Sequence, residues 1–241
     1  MTISIAMCTY NGANYLEQQL ESIAAQKLLP DELIICDDNS TDRTHELISH
    51  FSDSVPFAVR LVKNKRRLGV VRNFEQALSL CTGTYIAFCD QDDVWHPTKL
   101  ARALDHIAPY RGPSLYSAGR HVTDADLNIL ETQLRSNALG LVGTLLRNRV
   151  AGHTCVLSPD AVTVLKQRPP GRNVPFHDWW AALVLRAHGA TFIHDPTPVL
   201  SYRQHSANVL GARGGRWATL LTGRYFKWVW ANLRALRACR K

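Results

Sequence analysis

The chain has 241 residues, 46% of them hydrophobic and 20% charged, the composition of an ordinary globular protein long enough to bury one sizeable core. Its net charge of +8 sits at one end: residues 213–241 hold eight Lys/Arg and no Asp or Glu, while residues 1–212 carry 20 basic and 20 acidic groups. The six cysteines make no C-x-x-C pair, no apolar run is long enough to span a bilayer, and the start lacks a basic leader. A disulfide frame, a zinc site, a membrane span and a signal peptide are thereby disfavoured, and the cysteines read as buried free thiols of a reducing compartment.

In chain order, Ile3 to Cys8 reads as a buried strand, Thr9-Tyr10-Asn11-Gly12 as a turn, and Leu16, Leu20, Ile23 and Ala24 as one face of a helix. Leu33 to Cys36 is a second apolar run. It is followed by Asp37-Asp38-Asn39-Ser40-Thr41-Asp42, dense in helix-capping side chains, and a helix through Leu47 and Ile48. A third strand, Phe57 to Val62, leads through Lys63 to Arg67 and Gly69 into a helix bearing Phe74, Ala77, Leu78 and Cys81. This alternation predicts an open α/β sheet with right-handed crossovers, whose loops after successive strands open on one edge.

The fourth strand carries the strongest signal. Tyr85 to Cys89 is apolar on both faces, as in the middle of a parallel sheet, and runs into Asp90, Asp92 and Asp93 within four positions. Three like charges so close repel one another unless a cation or a set of donors holds them ionised. Mg2+ or Mn2+ answers that need through oxygen ligands and phosphates, which predicts a metal-bridged diphosphate. The plain alternative for Asp93 is a cap on the helix that begins near Pro97. No G-x-G-x-x-G and no G-x-x-x-x-G-K-[ST] is present, which disfavours dinucleotide and P-loop sites.

Beyond Pro109 the pattern weakens. Ser114 to Ala118 is strand-like, residues 119–150 read as an acceptor-facing insertion, His153 to Leu157 as a strand, and Ala161 to Leu165 as a short helix. Phe176-His177-Asp178-Trp179-Trp180 opens a helix that runs to about His188 and ends at Gly189. Asp178 suits the helix dipole, and Trp179 and Trp180 are expected to form a platform for a sugar ring or lipid. Thr191 to His194 and Pro198 to Tyr202 are two further strand-like runs, ending in Tyr202-Arg203-Gln204-His205.

Taken together and in order, Thr9-Tyr10-Asn11-Gly12, Asp37 to Asp42, Asp90-Gln91-Asp92-Asp93, His177-Asp178-Trp179-Trp180 and Tyr202 to His205 resemble the family 2 glycosyltransferases, most of all their rhamnosyltransferase-like bacterial branch. The resemblance covers about residues 1–210. It implies a GT-A fold, a mostly parallel sheet flanked by helices with a Rossmann-like nucleotide-sugar half (1–110) and an acceptor half (111–212). It also implies a nucleotide-diphosphate sugar donor, Mg2+ or Mn2+, and inversion at the anomeric carbon. On it, Thr9, Tyr10, Asn11, Asp37 and Asp38 hold the nucleoside, Asp90 and Asp92 meet ribose and metal, and Gln91 and Arg72 stand with the donor. Asp178 is the general base, His205 approaches the metal, Arg203 neutralises a phosphate, and Trp179 and Trp180 face the acceptor. Two departures stand out: His177 replaces the usual Glu, and the Gln-x-x-Arg-Trp motif of processive enzymes is absent, which favours transfer of a single sugar.

The tail can be drawn as a helix with Lys227, Arg234 and Lys241 on one side and Tyr225, Val229 and Leu236 on the other, beside Phe226, Trp228 and Trp230. That is the pattern of a helix lying on an anionic membrane surface, and without a nucleic-acid-reading motif it points to a peripheral protein on the cytoplasmic face of the cell membrane, near a glycan or lipid-linked acceptor. Two other functions fit the same residues: a nucleotidyltransferase, and an inactive sugar-nucleotide binding module.

Overall fold

A computed structural model describes residues 1–134, 139–171, 174–205 and 224–238. The tail cations Arg213, Arg216, Arg240 and Lys241, and Cys239, lie outside those residues. The predicted alternation holds through the first hundred positions: β1 (Ile3–Thr9), α1 (Leu16–Ala24), β2 (Glu32–Asp37), α2 (Thr44–Ser52), β3 (Ala58–Lys63), α3 (Val70–Leu80) and β4 (Tyr85–Cys89). β1 pairs in parallel with both β2 and β4, and β2 with β3.

Strand periodicity divides the core in two. Ile5, Met7, Leu33, Ile35, Ala87 and Cys89 point to one face and pack against Leu16, Leu20 and Ile23 of α1 and Ile48 and Phe51 of α2. Ala6, Cys8, Ile34, Cys36, Ile86 and Phe88 point to the other and meet Phe74, Ala77 and Leu78 of α3. With both faces covered, every residue of β4 is buried, which is why this strand reads as a continuous apolar run.

The second half continues as β5 (Val94–Trp95), α4 (Lys99–Ile107), β6 (Ser114–Thr123), β7 (Ile129–Gln133), α5 (Leu141–Leu146), β8 (Val156–Leu157), α6 (Pro159–Gln167), α7 (His177–Ala187), β9 (Thr191–Arg203) and α8 (Arg224–Ala238). Among the described residues these strands complete one nine-stranded sheet in the order β3-β2-β1-β4-β8-β6-β9-β5, with β7 on β6. The sheet is mixed where a mostly parallel one was expected, because β8 enters antiparallel between β4 and β6, while β6 and β9 run parallel.

Several boundaries differ from the sequence reading. The predicted strand at His153 is a 3-10 turn, Gly152–Thr154, that precedes the two-residue β8. The start of the weakly periodic stretch belongs to β6, which runs five residues past Ala118, and the two short strands at the end are one thirteen-residue strand, β9. Its register against β6 shifts beside Pro196 and Pro198, where the ladder loses donors. α7 ends as expected: Gly189 takes a left-handed φ of 71°, and the Ala190 N–H donates to the Leu185 carbonyl. The five described cysteines are buried free thiols, and no described helix is long and apolar enough to cross a membrane.

Candidate active site

The loops after β1, β2 and β4 meet at one edge of the sheet, stitched by their own polar side chains. Gln91 accepts from the Tyr10 N–H at 2.8 Å and donates to the Tyr10 carbonyl at 3.2 Å, joining the first and third loops. Gly12 lets the Gln91 amide approach the backbone closely, and a Cβ there would push that amide aside. Asn11, at a left-handed φ of 46°, accepts from the Thr41 N–H, and its own N–H donates to the Ser40 hydroxyl.

Asp37 and Asp38 are buried within this edge. Burial alone would raise the Asp37 pKa, but donors from Ser40, Thr9 and His45 outweigh it and hold the carboxyl below the usual range. Asp38 accepts from the Leu68 and Gly69 N–H groups at 2.6 and 3.0 Å and from Asn64 at 3.2 Å, fixing the start of α3. Both carboxylates therefore build the wall of the cleft. Arg72 turns away to Glu75 at 3.1 Å, whereas Arg67, passed over in the sequence, lays its guanidinium 3.6 Å over the Tyr10 ring.

The acidic run after β4 separates into two groupings. Asp92 Oδ2 lies 2.9 Å from His205 Nε2, and the His205 ring stacks on Tyr15 at 4.4 Å. Asp90 and the fully buried Asp93 turn inward to Nδ1 of His153, at 3.2 and 3.4 Å. Asp93 is thus no helix cap: α4 begins six residues later, and neither Asp93 oxygen has a hydrogen bond among the described residues. Burial pushes the pKa of both carboxyls up, with Lys99 and Arg120 pulling the other way. Lys99 is itself fully buried, donates to the His153 carbonyl at 2.6 Å, and is pushed down to about 7 by burial.

Asp90, Asp93 and His153 lie close enough together to surround a cation. Arg120 Nη1 is 2.7 Å from His153 Nε2, however, and a guanidinium only donates, so Nε2 accepts and Nδ1 keeps the proton that faces the two carboxylates. With Lys99 and Arg120 as counter-charges, this inner grouping is a balanced brace that aims Asp90. The outer pair, Asp92 and His205, offers the carboxylate and imidazole donor types that suit a hard or borderline divalent ion.

Asp178 opens α7 on the same edge. Its Oδ1 accepts from Asn148 Nδ2 at 3.0 Å and from the Trp179 N–H at 2.6 Å, and its Oδ2 from the Gly152 N–H at 3.1 Å. A carboxylate offers about four acceptor positions, so one on Oδ2 stays open to an incoming proton donor among the described residues. The turn Gly152–Thr154 links the two halves of the cleft: Gly152 holds Asp178, and the next residue, His153, holds Asp90. Asn148, Gly152 and His153 carry no periodic or motif signal, and sequence reading missed them.

Three expected roles change. Trp179 and Trp180 are not an acceptor platform: both are buried, the Trp179 indole donating to the Thr144 carbonyl and the Trp180 indole to the Arg168 carbonyl. Trp180 and His177 instead line an apolar hollow of about 90 Å3 behind α7, with Phe74, Leu78, Phe88 and Leu165, a lining unsuited to a diphosphate. His177 packs as an aromatic ring, 3.7 Å from Phe74, and burial lowers its pKa. Arg203 is buried as a loop clasp: Nε donates to the Asp92 carbonyl, Nη1 to the Ala125 carbonyl and Nη2 to Gln18.

A family model described as glycosyl transferase family 2 matches residues 4–151. The dTDP-rhamnosyl transferase RfbG of Shigella flexneri is 26% identical over 217 residues, 86% of this chain and 74% of RfbG. A UDP-Glc:alpha-D-GlcNAc-diphosphoundecaprenol beta-1,3-glucosyltransferase of Escherichia coli, WfgD, is 35% identical over 98 residues, covering 41% of this chain and 38% of WfgD. Among solved structures, the mannosyltransferase PcManGT from Pyrobaculum calidifontis, in complex with GDP-Man and Mn2+, superposes with a TM-score of 0.62 at 19% identity over 99% of this chain and 72% of its own. That likeness shows the GT-A fold. More than half of the chain falls under the family model, along the strands and acidic loops that build this cleft, and the chain belongs to glycosyltransferase family 2.

Proposed function

We propose that the protein transfers one sugar from a nucleoside-diphosphate sugar to a hydroxyl of a glycan or lipid-linked acceptor, with inversion, and that Asp178 is the general base. The observation that carries this reading is the Gly152–Thr154 turn, which ties Asp178 and Asp90 to two adjacent residues of one three-residue element. Asp178 takes the proton of the acceptor hydroxyl through the open position on Oδ2 while the hydroxyl oxygen bonds to the anomeric carbon. The bond from that carbon to the diphosphate breaks on the opposite face, and its electron pair leaves with the nucleoside diphosphate.

Asp90, Asp92 and His205 are the residues we assign to a Mg2+ or Mn2+ ion, which when bound offsets the charge that gathers on the departing diphosphate. Thr9, Tyr10 and Asn11, backed by Asp37 and Asp38, line the nucleoside side, and Gln91 fixes their loop. Arg67 is better placed there than Arg72. The dTDP-rhamnosyl and glucosyl transfer of RfbG and WfgD support a deoxyhexose or hexose donor, and the lipid-diphosphate acceptor of WfgD supports a site at the inner face of the cell membrane.

A thermal-shift panel of nucleoside diphosphates and their sugars, with Mn2+, with Mg2+ and with chelator, tests the reading. One base is expected to raise Tm by several degrees only with the ion present, and its sugar conjugate to lose its sugar to membrane acceptors. Pyrophosphate release from a nucleoside triphosphate, or binding without transfer to any acceptor fraction, contradicts it.

A further inference from the structure

α8 turns the apolar side read from its spacing, with Tyr225 and Leu236, to the body of the protein and not to a membrane. Asn232 and Leu236 are buried, Trp228 meets the Phe176 ring edge to face at 5.0 Å, and the Tyr225 hydroxyl donates to the Leu146 carbonyl, so this side lies against the body of the protein. Phe226 and Trp230, one turn apart, stand outward at 68% and 50% exposure. Lys227, Arg234 and Arg237 are exposed with them, and the Arg234 guanidinium lies 5.0 Å from the Trp230 ring centre.

The adjoining α5 repeats the pattern in miniature. Leu141, Thr144 and Leu145 pack inward, while Val142 and Leu146 stand outward at 70% and 48% exposure. Neither helix contains an Asp or Glu. Large rings and aliphatic side chains, ringed by cations and free of carboxylates, match a surface that is apolar below and negative above.

The geometry points to the joint α5–α8 face as the surface that seats this protein on an anionic phospholipid bilayer, an inference that rests on the lipid-linked acceptor proposed above. The seat adjoins the chemistry. α5 runs directly into the segment that carries Asn148 and Gly152 to Asp178, and the Thr144 carbonyl of α5 holds the Trp179 indole. A hydroxyl borne on a lipid headgroup would therefore arrive beside the base.

Co-sedimentation of the full chain with mixed phosphatidylglycerol and phosphatidylcholine vesicles, against phosphatidylcholine alone, tests this. Binding is expected to the anionic vesicles and to weaken with salt. The pairs Phe226→Ser with Trp230→Ser and Val142→Ser with Leu146→Ser should each lower the partition constant about tenfold or more. A charge pair, Lys227→Glu with Arg234→Glu, leaves the packed face untouched and should do the same. Nucleoside-diphosphate binding, measured separately, should not change in any of them. Equal partition of wild type between the two vesicle types, or wild-type partition of all three variants, overturns the seat. So does a dimer in light scattering that these substitutions dissociate, since the face would then belong to a second copy. If vesicles bind as expected but no nucleoside diphosphate does, the transfer reading fails and the seat stands.

Discussion

Gly152 is the residue most tightly confined beside Asp178. A Cβ at this position would stand 2.5 Å from His177 Nε2 and 3.1 Å from the Asp178 Cβ, while the Gly152 N–H already holds Oδ2 of Asp178. Gly152→Ala should displace the carboxylate and lower transfer about 100-fold, the scale on which misplacement of a reacting group by an ångström acts, while the affinity for nucleoside diphosphate stays near wild type. Steady-state kinetics beside calorimetric titration of the nucleotide checks the split. Sequence motifs marked Asp90, Asp92, Asp178 and His205 because charged residues at strand ends and helix starts are spaced recognisably. They said nothing of Asn148, Gly152 or His153, whose roles come from long-range approach. They also misdirected Trp179 and Trp180: adjacent helical residues point about 100° apart, so rings beside a half-buried carboxylate can face the core.

At the scale of elements, the second half is tied together by Asp195 of β9. Its carboxylate accepts from Arg102 of α4 at 2.8 and 3.0 Å and from the Tyr116 hydroxyl of β6 at 2.9 Å, and Oδ1 accepts from the Thr197 N–H. Burial raises the Asp195 pKa, but these donors outweigh it and leave it lowered. The sign follows: a carboxyl that is more acidic in the folded protein stabilises it above the unfolded pKa of about 3.9, and that contribution fades as pH falls through the folded value. Asp195→Asn should lose about 2 kcal/mol, or about 5 °C in Tm, at neutral pH, and the gap from wild type should narrow below about pH 4. Melting curves across that range check it. This clasp was illegible in the sequence, because β6 and β9 are separated by more than sixty residues and proline breaks the strand-like pattern of β9 into two runs.

At the scale of the molecule, the chain is one sheet whose polar loops gather at the ends of β1, β2 and β4, and Asp178 is brought to them by a helix from the second half. The parallel part was legible because local alternation of strand and helix forces it. The antiparallel insertion of β8 was not, since two residues carry no period. The apolar stripe of α8 was legible but its neighbour was not, because seven-residue spacing identifies a stripe and not the surface it meets. In the proposed reaction Asp178 acts on the sugar acceptor across a cleft shared with Asp90 and Asp92. Its most direct measurement is transfer of labelled sugar to the lipid fraction of membranes by Asp178→Asn, set beside donor affinity of the same variant. The prediction is a fall in transfer of about 100-fold to 10,000-fold with donor affinity within about threefold of wild type. Transfer at the wild-type rate by Asp178→Asn would contradict it.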